Sequence, residues 1–366
     1  MHTRLCKLAL LMAALAPHAL DTATAATFCV SDGSQLQAAL NTAASNGETD
    51  VIRLRSGTYT RADGAVAFSY FGSQSHSLTL EGGWFGLSPG NCALRIDQPT
   101  GTVLDGEGGR SVLQLLGNSG SNGALTLRNL SIANGSSQDT GGAVVGGIAG
   151  YLGSILIERV IFRGNTGGVA GGLSASTDGG VLQLINSLFD DNACSGGVCA
   201  ASLVVNNEPF FSAQPRLRLW GNTFVRGDCA SGSCRALRLG GGFGGAVQFE
   251  VANSVFALNQ GADIDFAINT GSLRHSRWDN LIGTPQTSSG NLAPGVAPGF
   301  VNAAGGDFRL APGSALIDAG TASPLLPETD LDNLPRVSGS APDVGAYERQ
   351  GPLFANGFES APQGSR

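Results

Sequence analysis

Five segments of this chain share one pattern: LTLRNLSIANG (125–135), ILIERVIFRGN (155–165), LQLINSLFDDN (182–192), LRLWGNTFVRG (217–227) and FEVANSVFALN (249–259). In each, apolar and polar residues alternate over a short strand, and the segment closes on Asn or Gly at a turn. Aligned on the apolar knob at Ile132, Phe162, Phe189, Phe224 or Val225, and Phe256, the copies are 30, 27, about 35 and about 32 residues apart. A unit of strands and glycine turns this short cannot bury its own apolar face, whereas a stack of copies can. The pattern therefore predicts an all-β chain, a single-stranded parallel β-helix with rungs about 4.8 Å apart. Phenylalanines stack inside it, and asparagines stack at the turns, where their amides bond along the column. A propeller would need tight antiparallel hairpins, and the irregular loop lengths argue against one.

Both ends of such a stack expose strand edges and an open core that must be covered. At the front, SQLQAALNTAASNG (34–47) predicts an amphipathic cap helix, with Ser34 as N-cap and Leu36, Ala39, Leu40 and Ala43 on one face. At the rear, ten of the fifteen prolines fall from Pro285 onward, so strand repetition ends in an irregular cap. The predicted organisation is a signal peptide at 1–26, the cap helix within 27–50 and coils over 51–284. The last coil or coils and a Pro-rich C-terminal cap follow over 285–350, and a flexible tail covers 351–366.

The signal peptide is read from a basic start (Arg4, Lys7), the apolar run LALLMAALA and a small-residue stretch before Ala26. The apolar run is too short to span a bilayer, and no later segment is long enough either. Six cysteines remain after it, an even number that suits disulfides in an oxidising compartment. Cys29 is expected to pair with Cys92, tying the cap to an early coil. For the rest, the local pairs Cys194 with Cys199 and Cys229 with Cys234 stand beside a cross-coil alternative. Cys194 and Cys229 are 35 residues apart, about one coil. Lys7 is the only lysine in the sequence, which excludes lysine bases from the mature chain. With a pI near 5.1, that absence argues against nucleic acid as partner.

With VIRLRSGTYT, TVLDGEG, the strand repeats and the terminal DFRLAPGSALIDAG, TDLDNLPR and PDVGAYE in view, the chain resembles bacterial exported right-handed parallel β-helix proteins of the pectate-lyase-like superfamily, which implies a right-handed coil. The resemblance is closest to those ending in a choice-of-anchor Q domain. F-x-x-N at Phe162, Phe189 and Phe256 and GGAV at 141–144 and 244–247 are similar to repeats of polymorphic outer-membrane proteins. Those proteins carry a C-terminal membrane barrel for which this chain has no room. The superfamily holds lyases, glycosidases, esterases and proteins without known activity, so membership implies the fold and leaves function to the site.

Three sites are candidates. In GADIDFAI (261–268), alternation turns Ile264, Phe266 and Ile268 inward and sets Asp263 and Asp265 side by side on the outer face. A polysaccharide lyase or glycosidase acting on an acidic glycan would use these carboxylates with Arg274, His275 or Arg277 from the next coil. The competing reading is a solvated outer face. In the loop VNNEPFFSAQP (205–215), Phe210 and Phe211 are the candidates for stacking on sugars. In the terminal segment, Asp318, Glu328, Asp330, Asp332, Asp343 and Glu348 surround one arginine, Arg336. There Asp330 and Asp332 could hold calcium, or the carboxylates could accept turn N–H groups and pair with Arg336 as the stopper of the coil.

The expectation is an exported, disulfide-stabilised protein of the outer cell surface or extracellular space. It would act as a monomeric binding or adhesion-type module towards a glycan or another surface component, with no cofactor beyond that calcium. A polysaccharide lyase or glycosidase is the alternative.

Overall fold

The computed structural model describes residues 25–61, 67–88, 90–146, 151–207, 216–230, 234–241, 248–266 and 270–351. The predicted signal up to residue 24, Phe210 and Phe211, Ile268 and the LFANGFES tail lie outside the described residues.

Strand follows strand in parallel register. One face runs through Ala26–Val30, Asp50–Arg55, Leu78–Phe85, Leu125–Ala133, Ile155–Arg163, Val181–Ile185, Arg216–Trp220, Gln248–Ala252, Thr270–Arg274 and Thr287–Ser289. A second row joins Thr102–Asp105 and the distal halves of Leu125–Ala133 and Ile155–Arg163 to Leu188–Asp190, Thr223–Val225 and Val255–Ala257. Both rows belong to one 16-stranded sheet, and an eight-stranded sheet from Phe68–Gly72 to Leu281–Ile282 supplies the third face. This is the parallel β-helix that the repeats predict.

One column of residues explains how a single sheet makes two faces. Asn129, Arg159, Asn186, Gly221, Asn253 and His275 hold equivalent positions in consecutive rungs, and each has a positive φ of 45° to 65°. A single left-handed residue turns the strand sharply. Asn and Gly enter this region at little cost, whereas Arg and His need surroundings that hold them there.

Inside, Phe162, Phe189, Phe224 and Phe256 stack with ring centroids 4.5, 4.8 and 4.6 Å apart, which settles the knob of the fourth repeat as Phe224. At the following turn the Asn165 amide donates to Asn192 Oδ1 at 2.9 Å, and Asn192 donates to Phe162 O at 2.9 Å. Asn259 repeats the motif by donating to Phe224 O and accepting from Gly227 N. These amides satisfy turn backbone that the stack would otherwise leave buried and unpaired.

The N-terminal helix spans Gly33–Ala43 and buries Leu36, Ala39, Leu40 and Ala43 as expected. Its N-cap is Asp32, not Ser34: Asp32 Oδ1 accepts from Gln35 N at 2.9 Å. Gln37 completes the open edge of the eight-stranded sheet, donating to Ser69 O and accepting from Ser69 N, both at 2.9 Å. Strand Ala26–Val30, placed with the cap by sequence, pairs in parallel with Asp50–Arg55 and is itself a rung.

The terminal segment corrects a larger expectation. It does not stop the end of the stack; it lies along the flank as a strap. Phe308, Leu310, Leu316, Leu331, Val344 and Ala346 pack on Ile161, Leu188, Val225, Val255 and Ala257, which point outward from the second row. The strap also follows the left-handed column. His275 Nδ1 lies 3.2 Å from Ala319 O. Asn253 accepts from Thr321 N at 2.9 Å and donates to Thr321 O at 2.8 Å. Gly221 lies against Leu326 and Arg336, where a Cβ would meet side-chain atoms at 3.0 and 3.2 Å. Asn186, with its amide turned to match its neighbours, donates to Ala346 O and accepts from Leu331 N, and Arg159 donates to Thr329 Oγ1. The physical cause is the apolar outer face of the second row, which no rung can cover for itself.

Candidate functional site

The five residues of the cleavage reading each engage partners of their own. Ile264 and Phe266 do point inward, but Asp263 and Asp265 are 2% and 5% exposed rather than solvated. Asp263 accepts from Asn259 Nδ2 at 3.0 Å, Asp279 N at 2.6 Å and Asn280 N at 3.2 Å, so it organises the turn that covers it. Burial pushes its carboxyl above the usual range. Asp265 pairs with Arg235 Nε at 2.6 Å. Arg274 lies over the Trp220 ring at 5.4 Å and pairs with Glu250. His275 belongs to the left-handed column and faces the strap. Arg277 donates to Val296 O, Phe256 O and Asp279, and touches the Asp263 turn only through Asp279. The alternation that ordered these residues along the strand carries no information about which loops fold over the outer face.

The terminal carboxylates accept turn N–H groups and pair with Arg336, as the stopper reading required of them. Arg336, 3% exposed, donates to Glu348 Oε2 at 3.2 Å, Asp343 O at 3.0 Å and Gly345 O at 2.7 Å. Glu348 accepts from Ser338 N and Asp343 N, and Asp343 accepts from Asp318 N and Arg349 N. Asp330 accepts from Asp332 N, Leu334 N and Glu348 N. Asp332 is turned away from it in a two-pronged pair with Arg309, at 2.6 and 3.3 Å. The two residues proposed for calcium thus serve different partners.

Disulfides join Cys29 to Cys92, Cys194 to Cys199 and Cys229 to Cys234, so the two four-residue loops close locally. Cys194 and Cys229 are nevertheless register partners in adjacent coils, and their sulfurs lie 2.8 Å apart. Among the described residues the one cluster with metal-ligand geometry is Cys194, Cys229 and Cys234, whose sulfurs are already bonded as disulfides.

The seam between strap and flank opens into two adjoining clefts. One, of about 290 Å³, is bounded by Gln98 to Thr100, by Arg163 on the flank, and by Arg309, Asp332 and Tyr347 on the strap. Its charges are paired: Arg163 with the fully buried Asp190 at 2.8 Å, and Arg309 with Asp332 and Asp307. Burial raises the Tyr347 phenol, so its hydroxyl keeps its proton. The second cleft, of about 340 Å³, is lined by Arg95, Arg128, Asn129, Glu158, Arg159 and Glu328 among others. Asp97 borders this cleft and Gln98 the first, just as Asn333 and Asp332 divide between them, so the two are neighbours along the seam. Arg95 is held by Glu81 at 3.1 Å and Asp97 at 2.6 Å. Arg159 ties the segment around Asp97 to the strap through Asp97 O and Thr329 Oγ1. Its burial lowers the guanidinium below its usual range. Among the described residues no ion pair involves Arg128, Glu158 or Glu328.

Sequence reasoning missed this site because the strap brings its two halves together across more than 150 residues. One signal was available. With the five repeats aligned, the left-handed position reads Asn, Arg, Asn, Gly, Asn, and Arg159 is the residue that departs.

No family model matches the chain, and no curated protein matches it. Among solved structures it is similar to the crystal structure of pectate lyase Pel9A, at 16% identity over 82% of this chain and 88% of that one, with a TM-score of 0.37. Among the described residues no helix is long and apolar enough to cross a membrane. The three disulfides fit an oxidising environment.

Proposed function

We propose that the protein is an exported module of the cell surface or extracellular space that binds glycans along the strap seam without cleaving them. The observation that carries this reading is the contrast between two sets of charged groups. Those a cleavage mechanism would need, Asp263, Asp265, Arg274, His275 and Arg277, are held in structural bonds. The seam, by contrast, presents polar side chains to an open cleft of about the size that small ligands occupy. Arg, Asp, Glu and Asn beside a tyrosine ring suit hydroxyl-rich ligands, since planar polar groups bind the hydroxyls and an aromatic face accepts the ring's C–H surface.

The terminal motifs support assigning the strap to the choice-of-anchor Q type. Asp318, Arg336, Asp343 and Glu348 lie within them and are the residues that hold it folded. The F-x-x-N and GGAV repeats support kinship with polymorphic outer-membrane protein repeats at the level of the coil. Calcium has no part in this reading, because Asp330 and Asp332 already serve backbone N–H groups and Arg309.

The test is a glycan array probed with the disulfide-bonded mature protein, together with incubation of acidic polysaccharides with and without calcium. Binding to a defined set of glycans is expected, with no new reducing or unsaturated ends. Failure to bind any glycan would refute the proposal, and release of such ends would replace it with a lyase or glycosidase.

A further inference from the structure

The second cleft concentrates polar atoms that the protein itself leaves without a hydrogen-bond partner. Nε of Arg128, Nε of Arg159 and Oδ1 of Asn129 are all buried and unpartnered, and all three residues line it; Asp97 Oδ1, buried in the same lining, is set apart because it is ion-paired with Arg95 Nε at 2.6 Å. Asn129 is 1% exposed and Arg159 5%. Such groups are costly to leave unmade, and their gathering at one place points to a ligand that makes them. The backbone supports the same reading. Arg159 occupies a left-handed position where the neighbouring rungs place Asn129 and Asn186, so a bulky residue is held in a conformation it disfavours.

We infer that this cleft is a subsite for the vicinal hydroxyl pair of a pyranose ring, an inference that rests on the glycan-binding reading and specifies its chemistry. The unpartnered atoms comprise two donors and one acceptor. A bare oxyanion would satisfy the two Nε–H groups but would face Asn129 Oδ1 and the carboxylates of Glu158 and Glu328 with nothing to donate. A cation would fail in the opposite sense. A hydroxyl both donates and accepts, and two adjacent hydroxyls can meet the set at once. Arg128 and Glu158 reinforce this. They are register partners in adjacent rungs, and neither is consumed by an ion pair among the described residues, so a guanidinium and a carboxylate stand side by side to take one hydroxyl each.

Calorimetric titration of the full mature chain with neutral glucosyl, mannosyl and galactosyl trisaccharides tests the assignment, with their per-O-methylated forms, a galacturonate trisaccharide and inorganic sulfate as further arms. At least one neutral trisaccharide is expected to bind, its O-methylated form to fail, and sulfate not to displace it. Arg128→Met and Arg159→Asn should each weaken binding by about tenfold or more. The second keeps a residue suited to the left-handed position while removing the guanidinium, so the fold survives. Trisaccharide binding that both variants leave unchanged, or that survives O-methylation, sinks the subsite while glycan binding stands. Binding of sulfate or galacturonate alone, displaced by sulfate, shows an oxyanion site instead. A wild type that binds no saccharide on the array or here removes both the subsite and the reading beneath it.

Discussion

Glu348 shows how far the terminal carboxylates are from free chemistry. Its carboxyl is pushed up to about 7 by burial, against hydrogen bonds from Asp343 N and Ser338 N and the charge of Arg336, which pull the other way. Burial raises Asp330 and Asp343 as well. A carboxyl raised in this way holds its proton more tightly in the folded than in the unfolded chain. Between its ordinary value of 4.5 and about 7 the folded chain therefore binds more protons, and stability is lost as pH rises through that window. The melting temperature should fall from pH 4.5 to 7 and level off above it, and Glu348→Gln should flatten the slope. A wild-type melting temperature that climbs across the same range contradicts the assignment. The role of these carboxylates was legible in the sequence, because acceptors crowded among prolines and turns beside one arginine have N–H groups to satisfy. Their location was not. Nothing in PDVGAYE tells which surface the segment will lie on.

The strap could have been read one level higher. The second half of each repeat, SIA, IFR, LFD, TFV and VFA, sets apolar residues on both faces of the strand, which is the mark of a sheet covered on both sides. Ile161, Leu188 and Val225 are the outward half of that signal, and the strap is what covers them. Rungs, phenylalanine column and cap helix were all legible from period and spacing, because each depends on residues close in sequence. The strap depends on Ala319 to Thr329 meeting a column assembled from six rungs, and no local pattern records such a pairing. The account gives Asn253 a measurable part in it. Asn253→Ala removes both side-chain bonds to Thr321 and leaves an alanine in a left-handed position. The loss should be about 2–5 kcal/mol, from two hydrogen bonds of roughly 0.5–1.5 kcal/mol each and about 1–2 kcal/mol of backbone strain. Urea denaturation measures it. A loss below about 0.5 kcal/mol would mean that the column does not hold the strap.

For the protein as one body, the strap does more than cover apolar surface. It makes of a β-helix flank a seam with two neighbouring clefts. The functional residues the sequence pointed to, Asp263 and Asp265 above all, face a rung that its own loops have closed. The residues the seam gathers, Arg128, Arg159, Arg163, Arg309 and Tyr347, come from the coil and from the far end of the chain. The most direct test of this division is amide hydrogen exchange read by mass spectrometry, with and without the strongest ligand from the glycan array. Slowed exchange is predicted in peptides covering 95–101, 156–163 and 327–333, with the 261–282 rung unchanged. Protection confined to 261–282, or to the 205–215 loop, would contradict the account and return the site to the outer face of the coils.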